Sequence, residues 1–294
     1  MIPLSSRLRP YLRAPVLGAA FGVFLVIAPV LFGAQAILIL FSLAGLIIVV
    51  GGVIAVAFMS FEGANVKAAL RAIMHMFNQQ PLSHDVLRDD MTSILKWSRV
   101  IKERGARSFE SRVGPDDIED PFVKYGLNMV LSDYTTEEVR GMLETAANAS
   151  YERDSIPVDI LHAMASHAPA FGMVGTLVGM VAMLSHLNAD IAVVGQHMAV
   201  AFLCTLYGVI SARMVYIPAA ERLHKEVENR RFRCHLITEG LAMLAGKNSQ
   251  TYIQDKLNSF LRPEIHNYFD CFTAGQTKKT EALRFPALTK PVHA

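Results

Sequence analysis

Residues 168–179 read Ala-Pro-Ala-Phe-Gly-Met-Val-Gly-Thr-Leu-Val-Gly, inside an apolar stretch that contains no Lys or Arg. Pro169 has no backbone N–H, so a helix through it loses one hydrogen bond and can kink there. Gly172, Gly175 and Gly179 thin one face of that helix, and Gly175 with Gly179 forms a small-xxx-small pair for close helix packing. Thr176 places a hydroxyl one turn above Gly172. Thr205 and Tyr207, within 195–209, stand at comparable depth on the next apolar segment. Hydroxyl oxygens can ligate a cation. A membrane threonine also commonly returns its hydroxyl to its own backbone, and kink prolines are common. Spacing alone leaves both readings open.

The ionisable residues narrow the chemistry further. No Asp, Glu, Lys or Arg stands in the middle of an apolar segment. Intramembrane ionisable groups are costly and therefore mark proton and ion paths. His167, two residues before the proline, could relay a proton or hydrogen-bond a neighbouring helix. His186 lies at the external end and fits an interfacial role. Either this chain moves no ion, or another chain supplies the carboxylate.

The elements that hold these residues follow from the charge pattern. All 28 Lys and Arg lie outside residues 14–61 and 155–212. The first of these stretches has no charged residue, and the second only Asp159 and Asp190. A helix needs roughly 20 mainly apolar residues to cross the hydrocarbon core. Each stretch therefore reads as a hairpin of two crossings: 16–33 and 36–59, then 157–187 and 193–217. Gly33-Ala34-Gln35 leaves a tight turn in the first hairpin, and Gly18, Gly22, Gly45, Gly51 and Gly52 are packing positions. The bias of Lys and Arg places Arg7, Arg9 and Arg13, the central region and the C-terminal segment on the cytoplasmic side.

The expected fold is an all-α polytopic membrane protein: a cytoplasmic N-terminus (1–13), a first hairpin (14–61), a cytoplasmic helical domain (62–154), a second hairpin (155–217) and C-terminal helices with a loose tail (218–294). Four crossings with 52% apolar residues and a mean hydropathy of +0.32 exclude an ordinary soluble domain. A net charge of +2 points to no nucleic-acid partner, and Cys204, Cys234 and Cys271 have the spacing of neither a metal site nor a disulfide framework. The basic N-terminus resembles a secretory signal, but the apolar run continues through Phe58, which predicts an uncleaved first helix.

In the central region, Leu87, Met91, Ile94, Leu95, Val100 and Ile101 recur at helical spacing. Thr135-Thr136-Glu137-Glu138 predicts a capping box opening a helix over 137–151. Gly114-Pro115 and Asp120-Pro121 mark turns or helix starts, and no strand is predicted. Pro157 is placed as the first residue of the third crossing. The fourth is expected to stop near Pro218, with a charged amphipathic helix over 221–245 continuing it and a shorter helix over 251–260.

At these motifs the chain resembles a known family. APAFGMVGTLVGMVAML at 168–184 and MAVAFLCTLYGVISARMVYIPAAERL at 198–223 look like the third and fourth helices of the MotA/PomA flagellar stator subunits. ERGARSFES at 103–111, EDPFVKYGLNMVLSDYTTEEVRGML at 119–143 and TEGLAMLAGKNSQTYIQDKLNSFLRP at 238–263 resemble the family's cytoplasmic segments. The likeness covers about residues 95–263, and the first two helices match mainly in pattern.

The resemblance implies a multi-pass protein of the bacterial inner membrane with both termini cytoplasmic. It implies a homo-oligomeric ring, a pentamer in the family, around a pair of single-span B-type subunits that carry the ion-binding Asp and a peptidoglycan-binding domain. Such a protein is not an enzyme and holds no cofactor beyond the transported Na⁺ or H⁺. Its function would be to couple cation flow to torque on the rotor protein FliG, and so to motility.

Carried over by motif, Pro169 matches the functional proline, and Thr176 and Thr205 match threonines of sodium-type members. Glu110 matches a rotor-contacting glutamate. The family's arginine aligns with Lys102, with Arg104 and Arg107 nearby, where this sequence departs from the usual Arg-Lys-Gly-Gly run. That cluster also reads as a solvated helix face. Two other classes stay open: an energiser of the ExbB/TolQ type, which transmits proton motive force to envelope proteins, and a non-conducting scaffold. The former typically has three crossings and an external N-terminus, unlike the pattern here.

Overall fold

The computed structural model describes residues 42–76, 84–104, 118, 120–186 and 191–261, and every regular element among them is helical. The first predicted crossing and its turn, Gly114-Pro115 and the tail beyond residue 261 lie outside the described residues. The chain divides into two compact units: residues 1–80 with 154–226, and residues 81–153 with 227–294.

The first unit contains helix α1 (Leu43–Ser60), α2 (Gly63–His75), residues 154–185 of α5 (Thr136–Ser185) and residues 191–226 of α6 (Ile191–Ala245). The Ser42 hydroxyl caps α1 by accepting from the Gly45 amide at 3.2 Å. A π-helical segment, Ile47–Gly51, interrupts α1 just before Gly52. Phe61 and Glu62 are extended, which ends α1 and redirects the chain into α2. Helix α2 buries Val66, Ala69 and Ala72 and leaves Lys67 and Arg71 exposed. Alanines from four helices dominate this core, with Leu161, Met164 and Tyr216 filling between them. Small residues let helices approach closely where no large side chain separates them.

One proline expectation is corrected. Pro157 lies inside α5 rather than at its start. Residues 142–156 contain no glycine stop, and Ala146, Ala147 and Ala149 favour helix, so one lost hydrogen bond does not end it. Pro218 lies within α6, which continues to Ala245 as the expected helix over 221–245. The π-helical segment Ser211–Tyr216 immediately precedes it, and its wider turn relieves the clash between the proline ring and the preceding turn.

The second unit contains α3 (His84–Arg104), α4 (Pro121–Leu131), residues 136–153 of α5, residues 227–245 of α6, and α7 (Gln250–Asn258). Leu87, Met91, Ile94, Leu95 and Ile101 are buried, Val100 is half-buried, and Trp97 joins them. Asp120 caps α4 with Pro121 at its first position, accepting from the Phe122 amide at 3.0 Å. Before α5, the Glu138 amide donates to the Thr135 hydroxyl at 3.3 Å, and the Glu138 carboxylate accepts from the Thr135 amide at 2.9 Å. These bonds to Thr135 hold the Glu138 carboxyl below the usual carboxylate range.

The central and C-terminal segments share this core, and Arg233 ties them together. Its guanidinium meets Asp90 at 2.6 and 3.0 Å and Asp120 at 2.7 Å. Burial pushes the Asp90 carboxyl up, opposed by Arg233. Burial also works against charge on Arg233, but its hydrogen bonds and charge contacts with Asp90 and Asp120 hold it above its ordinary range.

Candidate functional site

Three described helices are long and apolar enough to cross a membrane: α1, and the apolar parts of α5 and α6. The contacts around their glycines define how they meet. A Cβ on Gly179 would stand 2.7 Å from the Ala201 Cβ, and one on Gly175 would stand 2.5 Å from the Cys204 Cβ. A Cβ on Gly172 would stand 3.0 Å from the Cys204 carbonyl oxygen and 3.2 Å from the Thr205 Cα. Gly208 would meet the Ala168 carbonyl oxygen at 2.6 Å. As numbers rise on α5 they fall on α6, so the two helices run antiparallel. Their backbones approach so closely at Gly172 and Gly208 that nothing larger than hydrogen fits.

Helix α1 closes this seam from a third side. The Ser42 amide donates to the Tyr207 hydroxyl at 2.8 Å. A Cβ on Gly45 would stand 3.0 Å from Cys204 Sγ, and one on Gly52 would overlap the Phe171 ring. Cys204 is therefore buried where three helices meet. Gly51 behaves differently from its neighbours: it is exposed, and its nearest such contact is Ile47 of its own helix at 4.0 Å.

The polar residues singled out in sequence lie around the edge of the seam. Pro169 is half-buried within α5. The Thr176 hydroxyl donates to the Met173 carbonyl at 2.6 Å, one of the two alternatives open from sequence. That bond turns its hydrogen inward and leaves its lone pairs on the half-exposed side. Thr205 is exposed on α6, beside Gly172 and about one turn from the level of Thr176. His186 donates from Nδ1 to the Ala182 carbonyl at 2.9 Å, and its ring stacks on His197 with centroids 5.0 Å apart. The residues of the second predicted patch are less complete. Lys102 is exposed near the end of α3, Arg104 is its last residue, and Glu110 lies outside the described residues.

Sequence reading missed Cys204, Gly208 and His197. Ala201, Cys204 and Gly208 repeat small residues at three and four positions apart, the same signal that marked Gly172, Gly175 and Gly179 on α5. Scanning α6 for that spacing would have found the second half of the seam. His197 carried no such signal, because only the fold brings it beside His186.

This arrangement provides oxygen ligands at the edge of a tightly packed helix pair, with no carboxylate at the level of Thr176 and Thr205 among the described residues of α1, α5 and α6. Residues 115–234 match the model of the MotA/TolQ/ExbB proton channel family. The uncharacterized protein YtxD of Bacillus subtilis is 33% identical over 70% of this chain and 74% of its own length. The chemotaxis protein PomA of Vibrio alginolyticus is 30% identical over 83% of this chain and 95% of its own. The solved structure of C. jejuni MotAB has the same fold, with a TM-score of 0.74 at 20% identity, covering 85% of this chain and 96% of that one. The chain belongs to the MotA/TolQ/ExbB proton channel family, in the stator branch of motility protein A and PomA.

Proposed function

We propose that this chain is the A-type half of a stator in the bacterial inner membrane, which couples cation flow to torque on a flagellar rotor. The observation that carries this reading is the α5–α6 seam. Pro169, Thr176 and Thr205 lie along its edge, while no Asp or Glu stands in the middle of a crossing. A desolvated cation needs oxygen ligands and a charge partner. The hydroxyls here can supply the first, and a B-type subunit with a single span, an intramembrane Asp and a peptidoglycan-binding domain would supply the second.

In this reading the chain crosses the membrane four times with both termini cytoplasmic. Several copies form a ring, a pentamer as in the family, around a B-type pair. The second unit faces the cytoplasm, with Lys102, Arg104 and Glu110 as its contacts to FliG. The permeant ion is sodium, favoured over protons by the two threonines. Relationship to PomA supports this reading over an ExbB/TolQ-type energiser. Deletion of the gene tests it: cells should keep intact filaments but cease to swim. Normal swimming, with a defect in energised envelope transport, would favour the energiser.

A further inference from the structure

The exposed surface of α5 changes character at Pro169. From residue 173 outward, its exposed side chains include Met173, Leu177, Val181 and Leu184, as lipid or an apolar neighbour requires. From 158 to 170 the exposed positions are Asp159, His162, Ser166, His167 and Ala170, with no large apolar side chain exposed there.

The polar positions are also aligned. At about 100° per residue, Asp159, His162, Ser166, Pro169 and Thr176 fall within an arc of roughly 100° on the helix. His167 lies about 80° beyond the edge of that arc. Ser166 repeats the arrangement of Thr176: its hydroxyl donates to the Ala163 carbonyl at 2.8 Å, leaving its lone pairs outward. Asp159 and His162 make no hydrogen bond or ion pair among the described residues. At 1.5 Å of rise per residue, the stripe extends about 15 Å from Pro169 to Asp159, about half a hydrocarbon core.

We propose that this stripe is the cytoplasmic exit for the cation, with Ser166 and His162 lining it and Asp159 at its mouth. The inference rests on the stator reading above and adds residues to its ion path. A cation leaving the threonine level meets outward-facing oxygens, then an imidazole, then a carboxylate that restores its hydration at the aqueous boundary. The same helix turns its apolar face outward only above the proline. A path is needed below it, where the helix face is polar. His167, on another side of the helix, takes no part.

The test uses the assembled complex of this chain with its B-type partner in vesicles, with Cys234 and Cys271 replaced and the buried Cys204 retained. Single substitutions Ser166→Cys, His162→Cys and His167→Cys are treated from the cytoplasmic side with a membrane-impermeant, cationic thiol reagent, and cation flux is followed. The first two should lose most of their flux on modification, and the third should keep it. In parallel, His162→Leu should slow flux, and His162→Asn should slow it less. Unchanged flux in both modified Ser166 and His162 variants, equal loss in the His167 variant, or full flux with His162→Leu would overturn the exit path while leaving a conducting stator intact. A parent complex that carries no cation would overturn the stator reading and the exit together.

Discussion

At the residue scale, the two threonines make the sharpest chemical distinction. Thr176 binds its own helix through its hydrogen and keeps its lone pairs available, while Thr205 stands exposed on the facing helix. Sodium requires such a shell of oxygens, and a proton does not. Swimming speed should therefore rise with external sodium at fixed pH, and Thr176→Ala with Thr205→Ala together should remove most of that dependence. Speed that ignores sodium but collapses with a protonophore would return both threonines to packing. Pro169 makes a different prediction. Pro169→Ala restores one helix hydrogen bond, a net gain of about 0.5–1.5 kcal/mol at most, so the protein should still reach the membrane while torque falls. Loss from the membrane fraction instead would make the proline structural. Local polar chemistry was legible from sequence, as in the Thr135–Glu138 capping box and the Asp120 cap, because each depends on residues a few positions apart. Cys204 was not, because its burial depends on three helices meeting.

At the element scale, the glycines of the seam and those in open space should respond oppositely to the same change. A Cβ on Gly208 would meet backbone oxygen at 2.6 Å, so Gly208→Ala must push α5 and α6 apart, an overpacking cost of about 1–3 kcal/mol. Gly141 has nothing within 4 Å of its Cβ position, and Gly141→Ala should stabilise α5 by about 0.4–1 kcal/mol. Thermal unfolding of the purified complex separates the two, and a shift of the same sign would contradict the packing. Arg233→Ala leaves Asp90, only 2% exposed, without its partner. Breaking such a buried pair costs about 3–5 kcal/mol. The single tryptophan, Trp97, lies in the same core, so its fluorescence should show earlier unfolding of that unit. An unchanged midpoint would show that the ion pair is dispensable. Element boundaries were legible where apolar spacing was regular, as over α3. They failed at Pro157, where long helical neighbours absorb a proline placed as a helix start, while past Pro218 the helix continues as expected after a π-helical turn.

At the scale of the whole molecule, the absence of Lys and Arg from two long stretches makes a membrane protein legible in the sequence itself. The grouping of the central region with residues 227–261 into one core was not, because Arg233 reaches Asp90 and Asp120 across more than a hundred residues of sequence. The central claim is that this chain holds part of a cation site and cannot complete it alone. Cation flux into vesicles measures that directly, with this chain alone and with its B-type partner. Flux should stay near background with the chain alone and appear when the partner is present. Robust, ion-selective flux through the chain alone would contradict the shared site.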